Sequence, residues 1–138
     1  MNESNFRGHC YCGSIQFEAV GEPISTCYCH CESCRRHTAS VVAAFAGFHL
    51  DQVKFTHAQP ASHFSEDGVK RMFCGECGSP ISCQLKRAQD QGEIYLYLGI
   101  FDEPEKLRPQ SHVFYPEHIP WLNIEDDLPR EEDLARFD

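Results

Sequence analysis

The stretch CYCHCESCRRH, Cys27 to His37, packs four of the chain's nine cysteines and two of its eight histidines into eleven residues. Within it, Cys29, Cys31 and Cys34 form a CxCxxC run. Sulfurs around one tetrahedral zinc lie about 3.8 Å apart on bonds of about 2.3 Å. Extended backbone sets residues two apart on one face at about 6.6 Å, so Cys29 and Cys31 can lean together and a sharp turn can bring in Cys34. Cys27 stands about 13 Å from Cys31 along an extended chain, out of reach of the same ion without a further bend. The run therefore predicts a three-sulfur site, with Cys27 set apart.

Working outward, a CxC at Cys10 and Cys12 lies in GHCYCGSIQFEAV, and a CxxC at Cys74 and Cys77 lies in FCGECGSPI. The latter carries Gly75 and Gly78 where a zinc knuckle needs positive φ and close backbone approach. Together the two motifs supply four thiolates, the ligand set of a closed structural zinc, joined across more than sixty residues of chain. Binding free energy at such a site is folding free energy. The plainer reading of Cys10 and Cys12 is that they are small buried residues.

Three thiolates at Cys29, Cys31 and Cys34 leave one coordination position open, as at catalytic zinc. The alternatives are closure by Cys27, Cys83 or a histidine, or no metal at all. Three thiolates against Zn²⁺ leave one net negative charge, which makes the ion a weak Lewis acid suited to binding and activating a thiolate or small ligand.

The remainder reads as short strands. Ile15, Phe17 and Ala19 alternate after the CxC, and Gly21 to Pro23 end the run. Val41 to Phe48 is nearly all apolar and short, a strand covered on both faces. Gln52 to His57 and Ala61 to Glu66 are two more, split by Pro60, and Asp67-Gly68 turns the chain into Val69 to Phe73. Pro80 to Leu85 and Glu93 to Gly99 follow, the latter alternating Ile94, Leu96, Leu98 against Tyr95, Tyr97 with both faces partly covered. Beyond Phe101, five prolines exclude a long helix. Ser111 to Tyr115 adds a strand, and Pro129 to Arg136 reads as a short helix with proline in its first turn. The fold class is all-β: small zinc-pinned sheets, tent- or sandwich-like, with short helical turns and an acidic C-terminal segment.

At 138 residues with 41% hydrophobic content, the chain fits one domain, 1–138, able to build a core. Its start, MNESNFRGHC, is polar and carries no signal-peptide pattern, and the cysteine count is odd. This points to a cytoplasmic, reduced protein whose clustered cysteines bind metal. No apolar run approaches the roughly 20 residues of a membrane span. The net charge is −9, and the final 22 residues carry eight acids against Arg130 and Arg136. Such a field repels nucleic acid, and the basic pairs Arg35-Arg36 and Lys70-Arg71 are too small to reverse it.

His30 and His37 flank the three-cysteine run and read as solvated turn residues, with ligand or proton-shuttle roles as alternatives. His9, His49, His57, His63, His112 and His118 show no ligand spacing. Cys83 and Cys27 read as core. Arg35 and Arg36 either hold a substrate carboxylate over the metal or offset the negative charge of the thiolates.

The order GHCYCGSIQFE, CHCESCRRHTAS, FCGECGSPI, YLGIFDEP and SHVF, with Trp121 near the end, resembles the glutathione-dependent formaldehyde-activating enzyme family, which includes centromere protein V. The resemblance covers residues 7 to 128. It implies a structural zinc at Cys10, Cys12, Cys74 and Cys77, and a catalytic zinc at Cys29, Cys31 and Cys34. The implied reaction is condensation of formaldehyde with glutathione, a carbon–sulfur lyase chemistry on a small thiol and a small aldehyde. The alternative from another class is a non-catalytic zinc scaffold that binds a protein partner.

Overall fold

The computed structural model describes residues 5–134. The first strand, β1 (Asn5–His9), pairs antiparallel with β2 (Gln16–Val20), which pairs in turn with β5 (Val53–Phe55) to form a three-stranded sheet. The seven-stranded sheet runs β10-β3-β4-β9-β8-β7-β6. Its members are β3 (Ser25–Cys29), β4 (Ala43–His49), β6 (Ala61–Phe64), β7 (Lys70–Phe73), β8 (Pro80–Gln84), β9 (Glu93–Tyr97) and β10 (His112–Val113). All its pairings are antiparallel except β10 on β3. Among the described residues there are also two short α-helices, α1 (Glu32–Thr38) and α2 (Lys86–Asp90), and four single-turn 3-10 helices. The molecule is thus mostly β, as expected.

Period-two alternation divides the large sheet into two faces. Ala46, Phe48, Ile94 and Leu96 point toward the small sheet, where they meet Phe6, Ile15, Phe17 and Phe101. Phe17 and Phe101 stack edge to face with centroids 5.0 Å apart. Full burial of one such phenylalanine stabilises the fold by about 1.5–3 kcal/mol. The other face presents Cys27, Cys29, Phe45, Cys83, Tyr95 and Tyr97 to α1, α2 and the C-terminal segment. A register shift between Met72 and Phe73 lets Ile81 enter the inter-sheet core while Cys83, two residues on, faces the opposite side.

Both β4 and β9 are covered on two faces, in line with their apolar sequences. Strands β1 and β3 carry no clear strand signal in the sequence. The first alternates exposed Asn5, Arg7 and His9 with buried Phe6 and Gly8. Gly8 is required there, since a Cβ would sit 2.2 Å from the Ile100 carbonyl oxygen and 2.5 Å from the Phe17 ring.

The helix expected over Pro129 to Arg136 does not form in its described part. Arg130 bridges His112 instead, with His112 N–H donating to the Pro129 carbonyl at 2.8 Å and Glu131 N–H to the His112 carbonyl at 2.7 Å. Two chain segments here satisfy each other's backbone, which a lone helical turn could not do for both. Residues 135 and 136 lie outside the described residues. No helix among the described residues is long and apolar enough to cross a membrane.

Candidate metal centre

Two hairpins meet at the first sulfur group. Cys10 and Cys12 occupy the β1–β2 turn, and Cys74 and Cys77 the β7–β8 turn, so the group joins the small sheet to the large one. The four sulfurs all lie within 4.8 Å of one another, with Cys10 to Cys12 at 3.6 Å and Cys12 to Cys74 at 3.7 Å. These separations match thiolates sharing a tetrahedral ion, about 3.8 Å apart.

Backbone amides point at the sulfurs: Ile15 N–H donates to Cys10 Sγ at 3.3 Å, and Glu76 and Cys77 N–H to Cys74 Sγ at 3.3 and 3.4 Å. Such donors stabilise thiolates. The Ser14 hydroxyl, 3.1 Å from Cys74 Sγ, is foremost in holding the Cys74 thiol below its ordinary pKa. Ser79, 3.1 Å from Cys77 Sγ, does the same for Cys77, lowering it to about 5. Gly78 takes φ 81°, the turn the CxxC reading required, and Gly13 takes φ 86° in the opposite hairpin. Gly75 has no positive φ.

The second group gathers Cys29, Cys31 and Cys34, again within 4.8 Å of one another. Cys29 ends β3, Cys31 is the N-cap of α1, and Cys34 sits in the helix's first turn. Cys29 Sγ lies 3.5 Å from each of the other two sulfurs. Cys31 Sγ accepts from Cys34 N–H at 3.3 Å, so a cysteine does the work of a capping serine. Glu32 opens the helix and Arg35, Arg36 and His37 close it, the order the helix dipole favours. Ala39 ends it in the left-handed region.

Within this group one sulfur is the preferred anion. Cys34 is held well below the ordinary thiol range by hydrogen bonds from Cys29, Cys31 and Cys83, helped by the charge of Arg71. Cys29 is pushed up because its proton is shared toward Cys31 and Cys34. Cys31 is raised to about 11. Both groups therefore consist of converging soft donors in a ligand geometry, which fits a metal such as zinc.

Cys27 is fully buried on β3, outside both groups, its thiol driven up by burial. Cys83 is core by exposure, yet it touches Cys34, which with burial raises its thiol. A cavity of about 220 Å³ opens beside the three sulfurs, walled by Phe45, Val69, Leu85, Phe114 and Leu134, with Asp67 and Glu117 also lining it. Phe114 holds φ 54°, an uncommon conformation for a bulky residue.

Three groups near this site differ from what the sequence suggests. Arg71 on β7 is buried and donates from Nη1 to Cys34 Sγ at 3.5 Å and to the Tyr97 hydroxyl at 2.8 Å. His37 is half-buried, not a solvated turn residue, because its Nδ1 meets the same hydroxyl at 3.1 Å. His30 is 1% exposed, again contrary to the solvated reading. Its Nε2 lies 2.8 Å from His112 Nδ1, and His112 Nε2 lies 3.0 Å from Asp126 Oδ2. Burial first, then His112 and His118, lower His30 to about 4.

Arg35 and Arg36 do not line the cavity at the sulfurs. Arg36 pairs with Glu32 at 2.8 Å on the surface, and both arginines border a shallow depression elsewhere. The cation facing the cysteines is Arg71.

Known proteins place this geometry. A protein from Schizosaccharomyces pombe named as an uncharacterized lyase is 29% identical over 76 residues, 55% of this chain and 55% of that protein. The chain thus spans about half the length of this curated relative. A crystal structure of a Rhodobacter sphaeroides protein has a similar fold, with TM-score 0.56 and 19% identity over 90% of this chain and 98% of that one. Residues 5–117, which carry both sulfur groups, match the family described as glutathione-dependent formaldehyde-activating enzyme. The chain belongs to the glutathione-dependent formaldehyde-activating enzyme family.

Proposed function

We propose that the chain is a zinc-dependent carbon–sulfur lyase-type enzyme acting on a thiol, glutathione or a similar one, and a small aldehyde such as formaldehyde. In this reading residues 1–138 form one cytoplasmic domain binding two zinc ions. Cys10, Cys12, Cys74 and Cys77 hold the structural ion, and Cys29, Cys31 and Cys34 the catalytic one.

The observation that supports it most is the contrast between the groups. One has four sulfurs and joins two hairpins; the other has three and borders a cavity. Cys29, Cys31 and Cys34 would hold the zinc by three thiolates, and the ion would supply an open position at which the pKa of an arriving thiol would fall and its sulfur be fixed.

The chain's own residues do the rest. Cys31 and Cys34 are fixed by the helix start, so their sulfurs need no rearrangement. Phe45, Val69, Leu85 and Phe114 restrict water around the reacting atoms. At about 220 Å³ the cavity is smaller than a site for a drug-sized ligand, which starts at about 300 Å³. It suits the reacting end of a thiol and a one-carbon aldehyde. In the condensation the sulfur–carbon bond forms, the carbonyl π pair moves to oxygen, and the thiol proton finishes on that oxygen. No oxidant or reductant is needed.

The test is exchange NMR of glutathione with formaldehyde. The zinc-loaded chain accelerates adduct formation over buffer, and Cys34→Ser abolishes the acceleration. A wild-type rate equal to buffer sinks the proposal.

A further inference from the structure

Arg71 poses a question that the ligand sets alone do not answer. The residue is 7% exposed, and among the described residues no carboxylate forms an ion pair with it. A guanidinium removed from water needs a counter-anion. The groups against Arg71 that can carry negative charge are the Cys34 sulfur at 3.5 Å, the Tyr97 hydroxyl at 2.8 Å, and Cys83, its partner on β8, while His63 faces it from β6 and His37 lies close enough to feel its charge. Asp67 borders the same cavity and feels the charge at longer range. The anion that balances Arg71 therefore belongs to the thiolate group.

We propose that Arg71 sets the charge of the ligand position beside Cys29, Cys31 and Cys34, making it select an anionic thiolate over a neutral donor. This rests on the reading that an arriving thiol binds there. Three thiolates with a divalent ion carry one net negative charge, and an added thiolate makes two. Such a charge is costly in a buried site, and Arg71 offsets one unit of it. A neutral donor adds no charge and draws no benefit. Arg71 is thus a positioning residue that acts through field rather than contact with the aldehyde. The Tyr97 hydroxyl accepts from the guanidinium, but the effect comes from the charge, so Tyr97→Phe, which keeps the cation, retains the selectivity.

The experiment uses the cobalt-loaded full chain, titrated separately with 2-mercaptoethanol and with imidazole while the visible bands of the second site are followed. In Arg71→Met, the thiol affinity falls by about ten-fold or more, while imidazole affinity stays within about three-fold. Arg71→Lys recovers most of the thiol affinity. Equal weakening of both ligands, or an unchanged thiol affinity, overturns the inference alone. No band shift with either ligand in wild type removes the open-site reading and the inference with it.

Should Arg71→Met not fold, the wild-type chain still decides. The Arg71 Nε–Hε resonance moves on adding the thiol and not on adding imidazole; a resonance indifferent to the thiol overturns the proposal.

Discussion

Residues around the three sulfurs divide into ligand candidates, their charge partner and their supports. Cys83 touches Cys34 but lies outside the three-sulfur group. Cys83→Ala is therefore expected to keep two metals per chain by elemental analysis, whereas Cys34→Ser keeps one. Loss of a metal from Cys83→Ala would identify a closed four-cysteine site. Asp126 is a support, holding His112, which in turn holds His30. Burial opposes its charge, but hydrogen bonds from His112 and Arg130 prevail and hold its carboxyl at about 2.

An unfolded aspartate titrates near about 3.9, so the stabilisation from Asp126 is complete above that and is lost as pH falls toward about 2. Asp126→Asn should melt below wild type at neutral pH, and the gap should narrow below about pH 4; a gap independent of pH contradicts this assignment. The CxC, CxCxxC and CxxC spacings mark seven cysteines in the sequence, because spacing within each motif is local; it is the two hairpins that bring Cys10 and Cys12 to Cys74 and Cys77. Arg71 and the His30–His112–Asp126 chain are not legible there, since their partners lie 37, 82 and 14 residues away and only the sheet brings them together.

Among the elements, β4 and β9 were legible because continuous apolar sequence leaves little choice but a strand covered on both faces. Their contact also explains a glycine. A Cβ at Gly47 would sit 2.5 Å from the Tyr95 ring, with backbone and ring fixed by the pairing of these strands. Gly47→Ala is expected to destabilise the fold by about 1–3 kcal/mol in urea denaturation. Gly75→Ala, whose Cβ meets nothing closer than 4.0 Å, should stay within about 0.5 kcal/mol. Equal effects would mean the Gly47 contact is relieved by movement of the ring. Helix α1 was not legible as a helix. At seven residues it is too short to form alone, and it depends on the Cys31 cap and on packing against the sheet. The shift that turns Ile81 and Cys83 to opposite faces leaves no mark in a short strand sequence.

Across the whole molecule, the proposed function assigns the fold to one sulfur group and the chemistry to the other. The four-sulfur group joins hairpins from different sheets more than sixty residues apart, so losing its metal should unfold the chain cooperatively. The three-sulfur group lies within one strand–helix connection, so removing a metal bound there should leave the sheets intact. The most direct measurement is cobalt substitution of wild type and Cys34→Ser, with metal content, circular dichroism and visible bands followed during glutathione addition. Wild type is expected to hold two metals, one responding to glutathione, and Cys34→Ser a single silent metal with the β-sheet signal unchanged. One metal in wild type, or a glutathione response that survives Cys34→Ser, would contradict the proposed function.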